Sequence, residues 1–584
     1  MPELSRRDAR WALAAVLALA TFLDFYRLDA PSFSPYYGAA VRSMLSNWHN
    51  FVFAAFDPGG FLTTDKPPGA LWVQAISAYL FGYSRFALCL PQAVAGVLST
   101  ALVYTLVARA FDRTTGVLAA LFYGVVPITV AVNRYNLPDG LLVFVSLLAA
   151  AALLQACRSG RILWLLASGA LVGVGFNIKL VAAWLILPAL LGTWGLTGPR
   201  GRKLSGALAF LLAMSVVSLG WMSYVDTLPA DQRPHVESSE DDTMLDTALF
   251  WDGLNRLPPG LVTALHLPAH PRPSPTRAFR PRRRQFEPGD SGSPGVTRLF
   301  DVSLAGQIAW FAVLAAAGML LGRPRRDDPP ERVAAWWLWT LWLLSIALVY
   351  SSTRSLHRHY LNMLSPAEAA LAAWGVMAVW RHGGWLRPVV LVGSGLTGAA
   401  IMSCFPAMTP WTVGLLALTA VGLWSRPLAL AALVVGPACW TGFALAIQPG
   451  QQFPFAGPEL LAARLQAHPD NSRLEHYLEA HQARTRFMVA VSNASDASSL
   501  IISSGRPVLT MAGFTGRTPA LTGVDLEAMV AHDEVHYFLI GGARRGGPDE
   551  LSRWVRDHGQ EVPDQAWQDA AGEGRRRPHL YFVR

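Results

Sequence analysis

The sequence predicts a polytopic α-helical membrane protein with about thirteen transmembrane helices, followed by a small α/β soluble domain. Three observations support this fold class. The 584 residues are 52% hydrophobic and only 15% charged, whereas soluble proteins carry about 25% charged residues. Apolar runs of about 20 residues, the length needed to cross a bilayer, recur along the chain. After residue 447 these runs stop and the composition becomes that of a soluble domain.

The apolar runs predict the individual spans. They lie at 11–26, 87–108, 115–132, 140–157, 162–177, 180–196, 204–224, 303–321, 334–350, 361–380, 388–404, 410–424 and 427–447. The fifth and sixth runs would form a hairpin around 162–196. The first run lacks a small-residue cleavage site, which argues against a removed signal peptide.

Lysines and arginines predict the orientation, because they concentrate in alternate short loops and such loops face the cytoplasm. These loops carry Arg6, Arg7, Arg10, Arg109, Arg113, Arg158, Arg161, Arg200, Arg202, Lys203, Arg323, Arg325, Arg326, Arg381, Arg387 and Arg426. The loops 27–86 and 225–302 then face outward. We therefore expect a multi-pass protein of the cytoplasmic membrane, with a transmembrane domain over 1–447 and an extracytoplasmic domain over 448–584.

The outward segments have recognisable local patterns. In the first loop, 36–47 and 69–80 have apolar residues at helical spacing, which is typical of helices in the membrane interface. In the C-terminal domain, 487–491, 507–511 and 535–540 have the pattern of buried strands, and 525–531 that of a helix. Short strands that alternate with helices indicate a small α/β domain.

Charge and cysteine usage exclude two other classes of site. The net charge of +9 lies largely in the predicted cytoplasmic loops, and no basic stripe with interleaved aromatic residues occurs, so we expect no nucleic-acid binding. The four cysteines, Cys89, Cys157, Cys404 and Cys439, lie within or at the ends of apolar spans. They therefore predict neither a disulfide framework nor a cysteine metal site.

The most informative motif is Asp65-Lys66-Pro67-Pro68 in the first outward loop. Proline fixes φ and lacks an N–H group, so this acid–base pair is held in extended backbone rather than inside a helix. A carboxylate can act as a general base, and an ammonium group can bind phosphate. Together with the other carboxylates and cations of the outward loops, the pair suits group transfer from a lipid phosphate carrier.

Further polar residues stand near the outward ends of spans, where ionisable groups indicate function by default. Asp57 and Asp139 are candidate catalytic acids, although Asp57 precedes Pro-Gly-Gly and has the alternative role of capping a turn. Asp139 has the alternative of a structural ion pair with Arg134. The candidate phosphate-binding residues are Lys66, Arg134, Lys179, Arg256, Arg354 and His357.

The ordered succession of short motifs resembles the bacterial GT-C glycosyltransferases, and within them the family 39, protein O-mannosyltransferase and aminoarabinose-transferase group. The motifs are Tyr36-Tyr37, the Asp-Pro-Gly-Gly turn at 57–60, Asp-Lys-Pro-Pro at 65–68, Pro91-Gln92, Arg134-x-Asn136-x-x-Asp139, Gly253-Leu254-Asn255-Arg256, His357-x-x-Tyr360 and Gly513-Phe514-Thr515-Gly516. The resemblance extends from about residue 30 to about residue 542.

This resemblance implies an integral-membrane transferase that moves a hexose or pentose from a polyprenyl-phosphate donor to an extracytoplasmic acceptor, which is a protein, a lipid or a cell-wall glycan. It implies inversion at the anomeric carbon, a donor-phosphate contact by Lys66 and a catalytic acid at Asp139. One departure concerns the base. Many relatives open the first loop with an Asp-Glu pair, whereas this chain has Ser34-Pro35. The base is therefore either Asp57 or Asp65.

Two other functions and one cofactor remain open at the level of sequence. A transporter would show inverted repeats and paired broken helices, and no such pairing is visible. A non-catalytic scaffold that presents the C-terminal domain would not need Asp65 and Lys66. The sequence neither requires nor excludes a divalent metal held by Asp57, Asp65 and Asp139.

Overall fold

A computed structural model describes residues 3–30, 33–239, 241–248, 292–353, 355–447, 453–461, 471–482, 485–514, 520–541, 549–568 and 578–584. The chain forms two compact units, each assembled from three segments. Unit 1 contains Met1–Ser32, Cys89–Leu219 and Leu254–Leu465. Unit 2 contains Phe33–Leu88, Gly220–Gly253 and Gln466–Arg584. The predicted outward loop and the C-terminal domain therefore share one unit.

Unit 1 is helical in its described part. Its α-helices are Arg6–Phe25, Arg85–Ala110, Arg113–Val125, Pro127–Asn133, Asp139–Ser159, Ile162–Lys179, Leu187–Thr197, Lys203–Thr227, Val302–Ile308, Ala312–Leu320, Pro330–Ser352, Ser365–His382, Leu386–Ser403, Thr409–Gly422 and Arg426–Ala446. Two of them, Arg85–Ala110 and Lys203–Thr227, extend into unit 2 at one end. Short 3₁₀ helices, such as Leu180–Ile186 and Arg358–Leu364, join several of them.

Nine helical stretches in the described residues are long and apolar enough to cross a membrane, or ten if the bent pair Arg113–Val125 and Pro127–Asn133 forms one span. These lengths confirm a multi-pass membrane protein, but the number thirteen is not confirmed. The helix Arg6–Phe25 is one reason, because it carries five charged residues. Thr409–Gly422 is another, because it has only 14 residues. The predicted hairpin is the third reason, because its two runs fall in the single stretch Ile162–Thr197.

The stretch Ile162–Thr197 is nevertheless broken at its centre. Leu180 has φ +48° and ψ −137°, a backbone conformation that is costly for a residue with a Cβ atom. The rings of Phe176 and Trp184 stack across this break, with centroids 4.8 Å apart. In a straight helix Phe176 and Trp184, which are eight positions apart, would be separated by about 12 Å along the axis. Because their rings are in contact, the chain changes direction sharply directly after Lys179.

Unit 2 combines helices with one mixed sheet in its described part. The helices are Pro35–Met44, Trp48–Phe53, Gly69–Phe81, Met244–Asp246, Ser472–His481, Ala494–Ser504, Gly523–Ala531, Asp549–His558 and Asp564–Trp567. The strands are β1 (Val489–Val491), β2 (Val508–Thr510), β3 (Tyr537–Gly541), β4 (Gln560–Glu561) and β5 (Pro578–Phe582). Their order is β2-β1-β3-β5-β4. β1 is parallel to β2 and β3, whereas β5 is antiparallel to both β3 and β4.

The predicted strands correspond to β1, β2 and β3, and the predicted helix lies within Gly523–Ala531, so the α/β character of the C-terminal region is confirmed. The two predicted amphipathic helices of the first loop are also present. The core of unit 2 includes Phe61 and Leu62 from that loop, which pack with Phe487, Leu509 and Phe538 of the sheet region. The loop is therefore a structural part of the α/β fold.

Candidate functional site

A short backbone pairing in unit 2 brings two distant segments together beside the Asp65-Lys66 motif. The His235 N–H donates to the Phe61 carbonyl at 2.8 Å, and the Thr63 N–H donates to the His235 carbonyl at 2.8 Å. One step further along, the Glu237 N–H donates to Thr63 Oγ1 at 3.0 Å. This parallel register places Glu237 next to the backbone that leads directly into Asp65.

Asp65 and Lys66 form a buried ion pair. Lys66 Nζ donates to Asp65 Oδ2 at 3.0 Å, and the two side chains are 8% and 12% exposed for Lys66 and Asp65 respectively. The other carboxylate oxygen, Oδ1, accepts a bond from the Tyr37 hydroxyl at 3.3 Å. Pro68 caps the N-terminus of the helix Gly69–Phe81, so the helix begins just after the pair. Because burying two charges is costly, this pair is a strong candidate for a functional site.

Tyr36 links the ion pair to the α/β domain. Its hydroxyl oxygen accepts the Asp65 N–H at 2.9 Å, and its ring contacts Phe56 and Phe514 with centroid separations of 4.9 and 4.6 Å. Burial raises the pKa of the Tyr36 phenol well above its usual value, and the charges of Asp65 and Glu237 raise it further. The hydroxyl therefore stays protonated.

Asp57 has a different environment. Its Oδ1 accepts the Gly59 N–H at 2.8 Å, and its Oδ2 accepts the N–H groups of Phe61 and Leu62 at 3.0 and 3.2 Å. Burial raises the pKa of the Asp57 carboxyl to about 6, while these amide bonds act in the opposite direction. The geometry matches the turn-capping role that the sequence left open.

Glu237 is a candidate that the sequence analysis did not select. The carboxylate is buried, with 0% exposure, and its Oε1 accepts the Ser238 hydroxyl at 2.9 Å. The Thr247 hydroxyl donates to the Glu237 carbonyl at 2.9 Å. In sequence it is one of several acids in the second outward loop. No local pattern distinguishes it, because only the pairing with residues 61–63 brings it to the Asp65 motif.

A second cluster of predicted residues lies in unit 1. Lys179 Nζ lies 2.5 Å from Asp139 Oδ1, and both side chains are buried. The same ammonium group lies 4.4 Å from the centroid of the Tyr360 ring, a distance typical of a cation–π contact. Asp139 is the first residue of its helix, so the positive end of the helix dipole also stabilises its charge.

Arg134 lies in the turn before Asp139 and is 2% exposed. Its Nη1 donates to the Leu23 carbonyl at 2.9 Å, close to the C-terminal end of the helix Arg6–Phe25. The neighbouring Asn133 donates to Asp24 Oδ2 at 3.1 Å. On the other side of the turn, Gln92 Oε1 accepts the Leu141 N–H at 2.9 Å. These bonds hold the Arg134-to-Asp139 turn rigidly.

The aromatic rings around His357 form a compact group in unit 1. His357 and His359 stack with centroids 5.5 Å apart, and Phe453 contacts them at 4.7 and 5.0 Å. Tyr360 meets both imidazoles edge-on at 5.4 and 4.6 Å. Because Tyr360 also contacts Lys179, this group adjoins the Asp139–Lys179 pair. Two predicted residues, Arg256 and Arg354, lie outside the described residues.

The structure gives limited support for a metal site. In the described part of the chain, one group of three metal-ligating side chains lies close enough to share an ion, namely Glu561, Asp564 and His579 at the exposed edge of the sheet. Asp57 is committed to three amides, which leaves it poorly suited as a ligand. The predicted metal ligation by Asp57, Asp65 and Asp139 stays a prediction.

Comparison with known proteins gives two matching family models. Residues 65–222 match the model of dolichyl-phosphate-mannose-protein mannosyltransferase. Residues 474–558 match the model of the C-terminal region of putative YkcB-like mannosyltransferases. The first match begins at Asp65 and includes the Asp139–Lys179 pair.

Whole-chain relatives agree with these matches. The putative mannosyltransferase YkcB of Bacillus subtilis is 30% identical over 98% of this chain and 94% of its own length. The putative mannosyltransferase YycA of the same species is 29% identical over 96% of this chain and 95% of its own. The crystal structure of ArnT from Cupriavidus metallidurans, bound to undecaprenyl phosphate, has the same fold, with a TM-score of 0.61, 15% identity, and coverage of 99% of this chain and 98% of ArnT. The chain belongs to the YkcB family of multi-pass membrane glycosyltransferases, within the GT-C superfamily.

Proposed function

We propose that this protein transfers a sugar from a polyprenyl-phosphate donor to the hydroxyl group of an extracytoplasmic acceptor. The observation that carries the proposal is the buried Asp65–Lys66 pair, whose side chains are 12% and 8% exposed. A desolvated ammonium group binds a phosphate more strongly than an exposed one does. The relatives support the class of donor, because ArnT of the same fold holds undecaprenyl phosphate.

In the proposed reaction, the acceptor oxygen attacks the anomeric carbon from the face opposite the phosphate, which inverts the configuration. The bond between the anomeric carbon and the phosphate oxygen breaks, and its electron pair stays on the departing polyprenyl phosphate. Lys66 stabilises the negative charge that develops there. Asp65 holds the ammonium group in place, and Tyr36 and Tyr37 hold Asp65.

Residues of unit 1 are proposed to contribute by the same argument, namely that a buried, well-positioned cation can bind the donor phosphate. Lys179 is positioned by Asp139 and by the Tyr360 ring, and a cation held from two sides is well ordered for binding a phosphate. Arg134 and His357 are retained as further candidates for donor binding, and Asp139 as a catalytic acid.

We also propose the orientation. The arginine-rich loops predict a cytoplasmic side, so residues 27–86, 225–302 and 448–584 would face outward from the cytoplasmic membrane. This placement supports an acceptor outside the cytoplasm, where polyprenyl-linked sugars serve proteins, lipids and cell-wall glycans.

The test uses purified protein in liposomes that contain polyprenyl phosphate carrying a radiolabelled sugar, with mannose, glucose and 4-aminoarabinose in separate samples. Membranes from a strain that lacks the protein supply the acceptor. We expect label to move to the acceptor with parent protein and to stay on the lipid with Asp65→Asn. Label that crosses the membrane still attached to the lipid would instead indicate a transporter. No turnover of any donor, with binding intact, would favour a scaffold.

A further inference from the structure

The opening of the first loop differs from that of many relatives in a way that matters for the choice of the general base. Where many relatives carry an acidic pair, this chain has Ser34 and Pro35, followed by Tyr36 and Tyr37. Both tyrosines bond to Asp65, one to its amide and one to its carboxylate. Residues 34–37 thus supply hydroxyl groups that hold Asp65, and they include no carboxylate that could take a proton.

The other buried carboxylates of unit 2 can be compared one by one. In its described part they are Asp57, Asp65, Glu237 and Asp246. Asp57 caps a turn through three amides. Asp65 accepts a donor on each oxygen, and one of these donors is Lys66, so taking a proton there would disturb the contact proposed to bind the donor. Asp246 accepts the Ser239 hydroxyl at 3.0 Å within its own loop.

Glu237 differs from Asp246 in that its backbone is bonded to the segment that leads into the Asp65–Lys66 pair. The Thr63 hydroxyl accepts the Glu237 N–H at 3.0 Å, only two residues before Asp65. The loop that follows is also tightly held, because Asp242 accepts the Val236 N–H at 2.7 Å and pairs with Arg233 at 2.9 Å. Ser238 has φ +62°, a strained conformation that often accompanies functional sites. Such rigidity suits a residue that has to meet a substrate proton.

From this geometry we infer that Glu237 is the general base of the transfer reaction, supplying the carboxylate that the opening of the first loop lacks. The inference rests on the proposed function. The acceptor O–H bond breaks as its oxygen forms the bond to the anomeric carbon, and the proton passes to a Glu237 carboxylate oxygen. The electron pair of the breaking sugar–phosphate bond leaves with the phosphate. The proton is released to water after the product departs.

Among titratable groups, Tyr36 interacts with the charges of both Glu237 and Asp65, Lys66 pairs with Asp65, and Asp246 lies nine positions after Glu237 in its own segment. The Glu237 N–H bond to Thr63 places this residue beside the segment that leads into Asp65, and the charges of Glu237 and Asp65 both raise the pKa of the Tyr36 hydroxyl. Lys66, held by Asp65, would then bind the leaving phosphate, and Glu237 would take the proton of the acceptor hydroxyl.

The test is Glu237→Gln, which keeps the size of the side chain but cannot take a proton. We expect kcat to fall by about 10²-fold or more, the usual scale for a lost general base, while the Kd for polyprenyl phosphate changes by less than about threefold. The acidic limb of the kcat–pH profile should disappear. The matched control is Asp231→Asn, an exposed acid of the same segment, which should retain parent activity.

A second variant covers the case in which Glu237→Gln fails to fold. Glu237→Asp keeps the charge but withdraws the carboxylate by one methylene group. It should lower kcat at least about tenfold and keep the acidic limb, because a base has to reach its proton. A kcat within about fivefold of the parent in Glu237→Gln, or full activity in Glu237→Asp, overturns the inference while the transferase function stands. Parent protein that transfers no sugar from any donor overturns both.

Discussion

Lys179 Nζ lies 2.5 Å from Asp139 Oδ1, although the two residues are 40 positions apart. Asp139 begins one helix and Lys179 ends the next, directly before the strained Leu180. The turn after Lys179 therefore fixes where its ammonium group points. A buried pair is weak proof of stability by itself, but breaking one half of it is costly.

We predict that Lys179→Met destabilises the protein by about 3–5 kcal/mol, because Asp139 would stay buried without its cation. The double variant Asp139→Asn/Lys179→Met should recover most of that loss and stay inactive if Lys179 binds donor phosphate. Thermal unfolding in detergent and the transfer assay measure the two effects. Parent-like transfer by the folded double variant would restrict the pair to a structural role.

Lys66 is expected to affect donor binding most strongly. A charge-assisted hydrogen bond contributes about 1.5–3 kcal/mol, so Lys66→Ala should weaken polyprenyl-phosphate binding by about ten- to a hundredfold. Because Lys66 is buried with Asp65, this variant should also lose stability, and Asp65→Asn/Lys66→Ala should regain it without regaining activity. Titration with polyprenyl phosphate provides the measurement. Unchanged affinity in a folded variant would remove Lys66 from the donor site.

Titration of Asp57 should make the free energy of unfolding depend on pH. Burial raises its pKa in the folded protein to about 6, above the value of about 3.9 for an unfolded chain. The folded state therefore binds the proton more tightly, and this contribution to stability is present below about pH 4 and lost as the pH rises to about 6.

The unfolding temperature of the parent is compared with that of Asp57→Asn, whose side chain has no proton to lose between about pH 4 and pH 6. Between about pH 4 and pH 6 the unfolding temperature of the parent should fall relative to that of the variant, and the difference should be constant above. Turnover should be reduced less in Asp57→Asn than in Asp65→Asn. Parallel pH curves for the two proteins would show that Asp57 does not titrate in this range.

Phe61 should link the first loop to the stability of the C-terminal domain. It is 8% exposed in the core around the sheet, and truncation of a buried phenylalanine costs about 3–5 kcal/mol. We expect Phe61→Ala to increase proteolysis within 466–584. Trp48→Ala is the control, since this aromatic residue of the same loop is 75% exposed. Equal protease resistance in the two variants would argue that the domain folds without the loop.

The orientation can be tested by cysteine labelling in a background without the four native cysteines. Val524→Cys places a thiol on an exposed position of unit 2, and Gly201→Cys places one where an added Cβ meets no other atom. With intact cells, a membrane-impermeant maleimide should label position 524 and should label position 201 only after permeabilisation. The reverse pattern would invert the proposed topology.

The sequence alone determined the class of the molecule, because composition and the length of apolar runs are local properties that the bilayer constrains directly. It located most spans, the three parallel strands β1, β2 and β3, and the Asp65-Lys66 motif. The number of thirteen spans is not confirmed, since nine or ten helical stretches of the described residues are long and apolar enough. The two runs predicted within 162–196 agree with the break at Leu180. Hydropathy does not show that the apolar helix Thr409–Gly422 ends after 14 residues.

The tertiary structure alone decided which polar residues meet. Glu237 reaches the Asp65 motif through a backbone pairing across about 170 residues of chain, and Lys179 reaches Asp139 through the packing of two helices. Asp57 carries the same chemistry as Asp65, yet three nearby amides occupy it. A carboxylate's role depends on burial and on the donors around it, and those come from segments that are distant in sequence.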